Sequence, residues 1–122
     1  MEEIERQGLT DKVIVMIGSD FARTPWYNDG NGKDHWSITS MMLMGPGISG
    51  NRVVGGTSHY QRPLTVNKTN LAVSGEEVTA DAIRIKPAHI HQNIRSLLGI
   101  ENSAASLEYH LQEEGLSLLT ES

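Results

Sequence analysis

"KVIVMIG" (residues 12–18) runs directly into "SDFARTPWYNDGNGKDHWS" (residues 19–37), and the fold turns on how that junction is read. The first stretch is a continuous apolar run rich in β-branched residues. Such a run is the signature of a strand covered on both faces, as in a parallel sheet, and it is too short to favour a buried helix. The second stretch holds Pro25, Asn28, Asp29, Gly30, Asn31 and Gly32, a dense set of turn formers, so it reads as a flexible loop leaving the carboxyl end of that strand. Ligands of open α/β sheets gather at such ends, because loops and helix termini converge there. Asp20 and Arg23 occupy that position.

Upstream, "EEIERQG" reads as the last turns of a helix with Gly8 as its C-terminal cap. Downstream, "SITSMMLMG" (Ser37 to Gly45) is a second buried-strand candidate that "GPGISG" breaks, and "NRVVGGT" is a short strand. Residues 58–70 form an irregular connection, and 72–85 hold weak strand-like stretches, "LAVSG" and "AIRI", around a turn. The clearest helix is "KPAHIHQNIRSLLG": Pro87 suits a first helical position, Ile90, Ile94, Leu97 and Leu98 fall at i, i+4, i+7 and i+8, and Gly99 suits the position after the cap. Residues 101–122 have patchy helical spacing and read as a weakly ordered tail. The whole is a loop-rich α/β chain.

A chain of 122 residues is the size of one domain at most. Ten basic against fifteen acidic residues give a net charge of −5, and the basic groups do not cluster, so nucleic acid is not an expected partner. The absence of cysteine excludes disulfides and thiolate metal sites. The longest apolar run falls far short of the roughly 20 residues a membrane helix needs, and "MEEIERQGLTDK" is acidic where a signal peptide would be basic and then apolar.

A short carboxylate at a strand end, Asp20, suits a divalent cation, and Arg23 beside it suits an anionic group held by paired hydrogen bonds. The structural alternative is that Asp20 caps the turn and Arg23 pairs with it or with Asp34. His35 follows the loop, which can bring it back beside Asp20. Neutral imidazole is the commonest protein metal ligand, and Asp34 would be a second ligand or orient the ring. The alternative is a loop histidine bonded to backbone, with Trp36 packing under the loop. His89 and His91, two apart on the final helix, point about 200° apart and cannot share a metal. His59, in "GGTSHY", reads equally as a substrate edge or as nothing, and His110 reads as surface. Ser19, Asp20 and His35 do not make a hydrolase triad, because the nucleophile elbow Gly-x-Ser-x-Gly is replaced by Gly-Ser-Asp-Phe-Ala.

"SDFARTP", "NDGNGKDHW", "MMLMGPGISGNRVVGGT" and "IHQNIRSLLGI" together, over about residues 2–100, resemble the C-terminal part of the domain of unknown function 1501 family. That family is in turn similar to the alkaline phosphatase and sulfatase superfamily. The resemblance implies an α/β/α sandwich of the alkaline phosphatase-like type, of which residues 1–122 would be a single C-terminal segment. It also implies a two-metal hydrolytic centre, with zinc, calcium or manganese as the divalent metal. By motif position Asp20 looks like the strand-end aspartate and His35 like the returning histidine, with Asp34 beside it and Arg23 steadying a small anionic ester substrate. Two departures bear on this. Phe21 stands where the superfamily has its second metal-binding histidine, and Ala22 replaces the usual family glycine. The superfamily's nucleophile and first metal-binding aspartate come from a more N-terminal segment, so this chain alone would be inactive.

The resemblance therefore leads to a metal-dependent hydrolase of phosphate or sulfate esters. The alternatives are an inactive extracytoplasmic binding or assembly protein on the same fold, and a gene fragment. Complete relatives often carry an export signal, which implies an extracytoplasmic parent. Three buried-strand candidates with exposed edges lead one to expect marginal stability or self-association.

Overall fold

The computed structural model describes residues 1–111, 113 and 115–120. Among the described residues, three α-helices and three two-stranded antiparallel sheets are joined by long loops, which makes the chain mixed α/β and loop-rich. No helix among the described residues is long and apolar enough to cross a membrane.

Helix α1 (Glu2–Arg6) ends as its sequence dictates. Gly8 adopts φ +65°, which lets the Leu9 N–H reach back to the Ile4 carbonyl and the Gly8 N–H to that of Glu5. This pair of bonds satisfies carbonyls that a helix end leaves bare, and glycine enters that left-handed conformation without steric cost.

The apolar run at 12–18 yields strand β1 (Val15–Ile17), and its partner is β4 (Met42–Met44), antiparallel, with Val15 opposite Met44 and Ile17 opposite Met42. The parallel, doubly covered strand expected from composition is not what forms. Met16 and Ile17 are 45% and 51% exposed, and Met42 is 51% exposed. Composition reports an affinity for burial, whereas pairing direction depends on which segment returns alongside. Gly45 closes this ribbon: at φ +142° a Cβ there would meet the Val13 carbonyl oxygen at 2.8 Å.

Within the β1–β4 connection lies a second antiparallel pair, β2 (Ala22–Arg23) with β3 (His35–Trp36). Strand β2 continues the arm of β1 and β3 runs into the arm of β4, so the two pairs form one interrupted ribbon. Between them four residues (18–21) on one arm face five (37–41) on the other, an inequality of the kind that bends and twists a ribbon.

The core lies elsewhere. Val66, fully buried, pairs with Ile83 in the sheet of β5 (Val66–Asn67) and β6 (Ala82–Ile83) and bridges Val73 on its other side. Around it pack Leu116, Leu118 and Leu119, with Leu43, Ile90, Ile94 and Leu97 at the margin. Three of the four expected stripe residues of α2 (Pro87–Leu97) thus face the core; Leu98 is the C-terminal cap and is 54% exposed. Gly99, at φ +67°, ends α2 with the same two reverse bonds seen at Gly8, from Gly99 to Ser96 and from Ile100 to Arg95.

The polar residues of α2 fasten the chain that follows. Asn93 donates to the Leu116 carbonyl and accepts from the Leu118 N–H at 2.8 Å, Gln92 donates to the carbonyls of Leu111 and Glu113, and Arg95 to those of Ser106 and Tyr109. Of the tail expected over 101–122, residues 104–108 form α3 (Ala104–Glu108), and Leu116, Leu118 and Leu119 are buried. Residues 112, 114, 121 and 122 lie outside the described residues.

Candidate functional site

The β2–β3 pair sets Arg23 directly opposite His35. Side chains on one face of such a pair lie together, and alternation adds Phe21, two residues before Arg23, to the same face. The contacts agree: the rings of Phe21 and His35 stack 3.8 Å apart at 22°, and the Arg23 guanidinium carbon lies 5.0 Å from the Phe21 ring centroid. Arg23 also donates to the Lys33 carbonyl at 3.0 Å. It therefore pairs with neither Asp20 nor Asp34, the structural alternative for this residue. All three side chains are exposed, so the cluster is a surface one.

The loop that returns His35 is fastened from within. Asn28 accepts from the N–H groups of Gly30 and Gly32 through Oδ1, and its amide donates to Asp34 Oδ1 at 2.9 Å. Buried Thr24 donates to the Trp26 carbonyl and accepts from the Asp34 N–H, while its own N–H bonds the Asp34 carbonyl. The density of turn formers thus produces a hydrogen-bonded loop in which Asp34 is a brace. Alternation directs the Asp34 and His35 side chains to opposite faces, so the adjacent pair does not converge on one point.

Asp20 sits exposed at a bend just before β2 and makes no hydrogen bond or ion pair with the described residues. Ser19, next to it, spends its hydroxyl on the Phe21 carbonyl at 2.8 Å, a local turn contact. Among the described residues no group of three or more His, Cys, Asp or Glu is gathered in a metal-binding arrangement. The donor set on the His35 side is consequently small, since Asp34 is a loop brace on the other face: the imidazole of His35, with the free carboxylate of Asp20 at the bend before β2. A hard or borderline divalent cation suits these donors, which would supply part of its coordination shell.

A family model described as Protein of unknown function (DUF1501) matches residues 1–116. The chain belongs to this family. No curated protein and no solved structure gives a significant match. The DUF1501 match spans the whole ribbon, helix α2 and α3, so the Arg23–His35 pair and the braced loop are parts of the family domain.

Two features of this DUF1501 chain were outside the reach of its sequence. His89 is 1% exposed, its Nδ1 accepts from the Lys86 N–H at 2.9 Å, and its Nε2 lies 3.7 Å from Glu113 Oε2. A ring nitrogen that accepts an N–H carries no proton, so in the neutral ring the proton is on Nε2, facing Glu113. His91, in contrast, is exposed, as the two-residue spacing on a helix requires. Trp36, expected as packing beneath the loop, meets Trp26 edge to face at 5.2 Å and 77° on the opposite side of the ribbon from His35. The signal available for that side was the placement of "PW" and "HW" in one loop, with "SHYQR" elsewhere in the chain to complete it.

Proposed function

We propose that this DUF1501 chain contributes the anion-steadying and part of the metal-binding groups of an alkaline phosphatase-like hydrolase acting on phosphate or sulfate esters. The observation that carries the reading is the register of β2 and β3, which sets a guanidinium and an imidazole side by side on an exposed ribbon, with the unengaged carboxylate of Asp20 at the bend that precedes β2. In this reading Asp20 and His35 hold the divalent metal, zinc, calcium or manganese. Asp34, turned to the other face, supports His35 by bracing the loop through its bond with Asn28. The metal, when bound, polarises the ester and stabilises charge developing on its oxygens. Arg23 orients the anionic group by paired hydrogen bonds, and its bond to Lys33 and contact with Phe21 pre-set the guanidinium. The resemblance assigns the nucleophile to a segment N-terminal to these motifs.

Isothermal titration of zinc and manganese into the folded chain tests this. The expected result is saturable binding that His35→Ala and Asp20→Ala each abolish while circular dichroism is unchanged. Binding indifferent to both substitutions, or a folded chain that binds neither metal, contradicts it.

One observation favours a second reading, a DUF1501 member that keeps the fold for binding or assembly without hydrolysis. The ring of Phe21 covers one face of His35, in the place where the superfamily resemblance puts a second histidine ligand. The exposed Met16, Ile17 and Met42 of the ribbon add an apolar surface suited to self-association. Sedimentation that rises in mass with concentration, in a chain that binds no metal, is the outcome that selects this reading.

A further inference from the structure

The face of the β2–β3 ribbon turned away from Arg23 and His35 opens on a concave pocket of about 340 Å³ walled by Trp26, Trp36, His59, Tyr60, Gln61 and Arg62. Two parts of the chain build it. The ribbon brings Trp26 and Trp36, whose indoles meet edge to face. The turn at residues 58–62 brings the rest, closed by bonds from the Ser58 N–H to Arg62 and from the Gln61 N–H to Ser58. Trp36 joins the two parts by donating its indole N–H to the Gln61 carbonyl at 3.2 Å. The turn carries Gln61 at φ +56°, a left-handed conformation that non-glycine residues rarely adopt, so the wall is preformed at a conformational cost. Within it His59 and Tyr60 again meet edge to face, at 5.8 Å and 78°.

Trp26 is 51% and Tyr60 74% exposed, although aromatic rings of this size normally supply a core. The volume stands at the lower end of the range for small-molecule sites, about 300 Å³ and upward, and suits one ring-sized group. Beside the π surfaces stand an amide, a guanidinium and an imidazole, so the pocket pairs flat apolar faces with several hydrogen-bonding groups. Arg62, 3.9 Å from the carboxylate of Glu76, offers further N–H donors that an ammonium ligand, itself only a donor, could not use. A purely apolar ligand would strip water from Gln61 and Arg62 without replacing its hydrogen bonds. A proline-rich peptide offers carbonyl acceptors but few donors. A pyranose matches on both counts, with a C–H face for the aromatic ring and a rim of hydroxyls that both donate and accept.

We infer that this pocket binds a pyranose unit of an oligosaccharide, its ring stacked on Trp26 or Tyr60 and its hydroxyls bonded to Gln61 and Arg62. The site lies on the opposite side of the ribbon from Arg23 and His35 and does not rest on the hydrolase reading.

The chain has two tryptophans, both in this pocket, so its intrinsic fluorescence reports on the site directly. The test titrates the full chain with hexasaccharides of β-linked glucose, β-linked galactose and galacturonate, alongside a proline-rich decapeptide, with calorimetry in parallel. The expected result is a saturable emission change with at least one sugar at one site per chain. Tyr60→Ala and Trp26→Ala each weaken it about tenfold or more, and His35→Ala leaves it unchanged. Tyr60→Ala removes a largely exposed side chain and so reads binding even where Trp26→Ala impairs folding. Three results overturn the inference: no saturation with any of the sugars, sugar binding that survives Tyr60→Ala, or saturation by the peptide in place of the sugars.

Discussion

Strand β1 is among the most apolar stretches of the chain, yet Met16 and Ile17 are 45% and 51% exposed; helix α2 is threaded with polar residues, yet it holds His89 at 1% exposure. The difference follows from what each element has beside it. The β1–β4 ribbon is two strands wide, so a strand there has one hydrogen-bonded neighbour and two faces to cover. Helix α2 has the β5–β6 sheet and the C-terminal segment against it, and its polar side chains bond the backbone of that segment. Apolar content therefore does not locate the core of this chain. Long-range partners do, and they gather around α2, leaving the ribbon to present side chains to solvent.

That contrast can be broken most sharply at Leu116. It is 4% exposed within the core cluster, and Leu116→Ala should cost about 2–5 kcal/mol of unfolding free energy in a denaturant titration. Asn93→Ala comes next. It leaves the Leu116 carbonyl and the Leu118 N–H without their partner, for a loss of about 1–3 kcal/mol, with faster hydrogen exchange over 115–120. On the ribbon, Ile17→Thr should change stability by no more than about 0.5 kcal/mol, because the side chain is already half in water. A loss at Ile17 as large as at Leu116 would mean that the ribbon is buried in the protein as it exists in solution.

The smallest effect concerns pH. The Lys86 hydrogen bond holds the Glu113 carboxyl below its usual value of 4.5, with the charge of Lys86 acting in the same direction against partial burial. Because the folded form binds the proton less readily, this contact stabilises the fold above the ordinary carboxylate range and is lost as pH falls through the lowered value. Lys86→Met should therefore lower stability on the neutral side of the profile, with its melting curve converging on that of the parent chain as pH falls through the lowered value, measured by thermal melts from neutral pH into the acid range.

Local signals in the sequence translated well. Pro87 and Gly99 bracket α2, Gly8 ends α1, and both glycines take the left-handed conformation those ends require. The return of His35 beside the strand that carries Arg23 was also legible, since both fall on one hairpin whose turn formers, Asn28 above all, close it. What the sequence did not carry was partnership at a distance. The antiparallel return of Met42–Met44 onto Val15–Ile17, the bonds that tie Gln92, Asn93 and Arg95 to residues up to 26 positions away, and the meeting of Trp36 with Gln61 depend on the whole fold. Periodicity shows which residues avoid water, and is silent on what covers them.

Hydrogen–deuterium exchange on the intact chain, with and without zinc, tests the division between a presenting ribbon and a core around α2 most directly. Slow exchange is expected at Ile94–Leu97 in both conditions, with faster exchange across residues 15–44 and zinc-dependent slowing confined to residues 20–36. Equal protection of ribbon and helix without metal, or zinc-dependent slowing in α2 with none at 20–36, would contradict it.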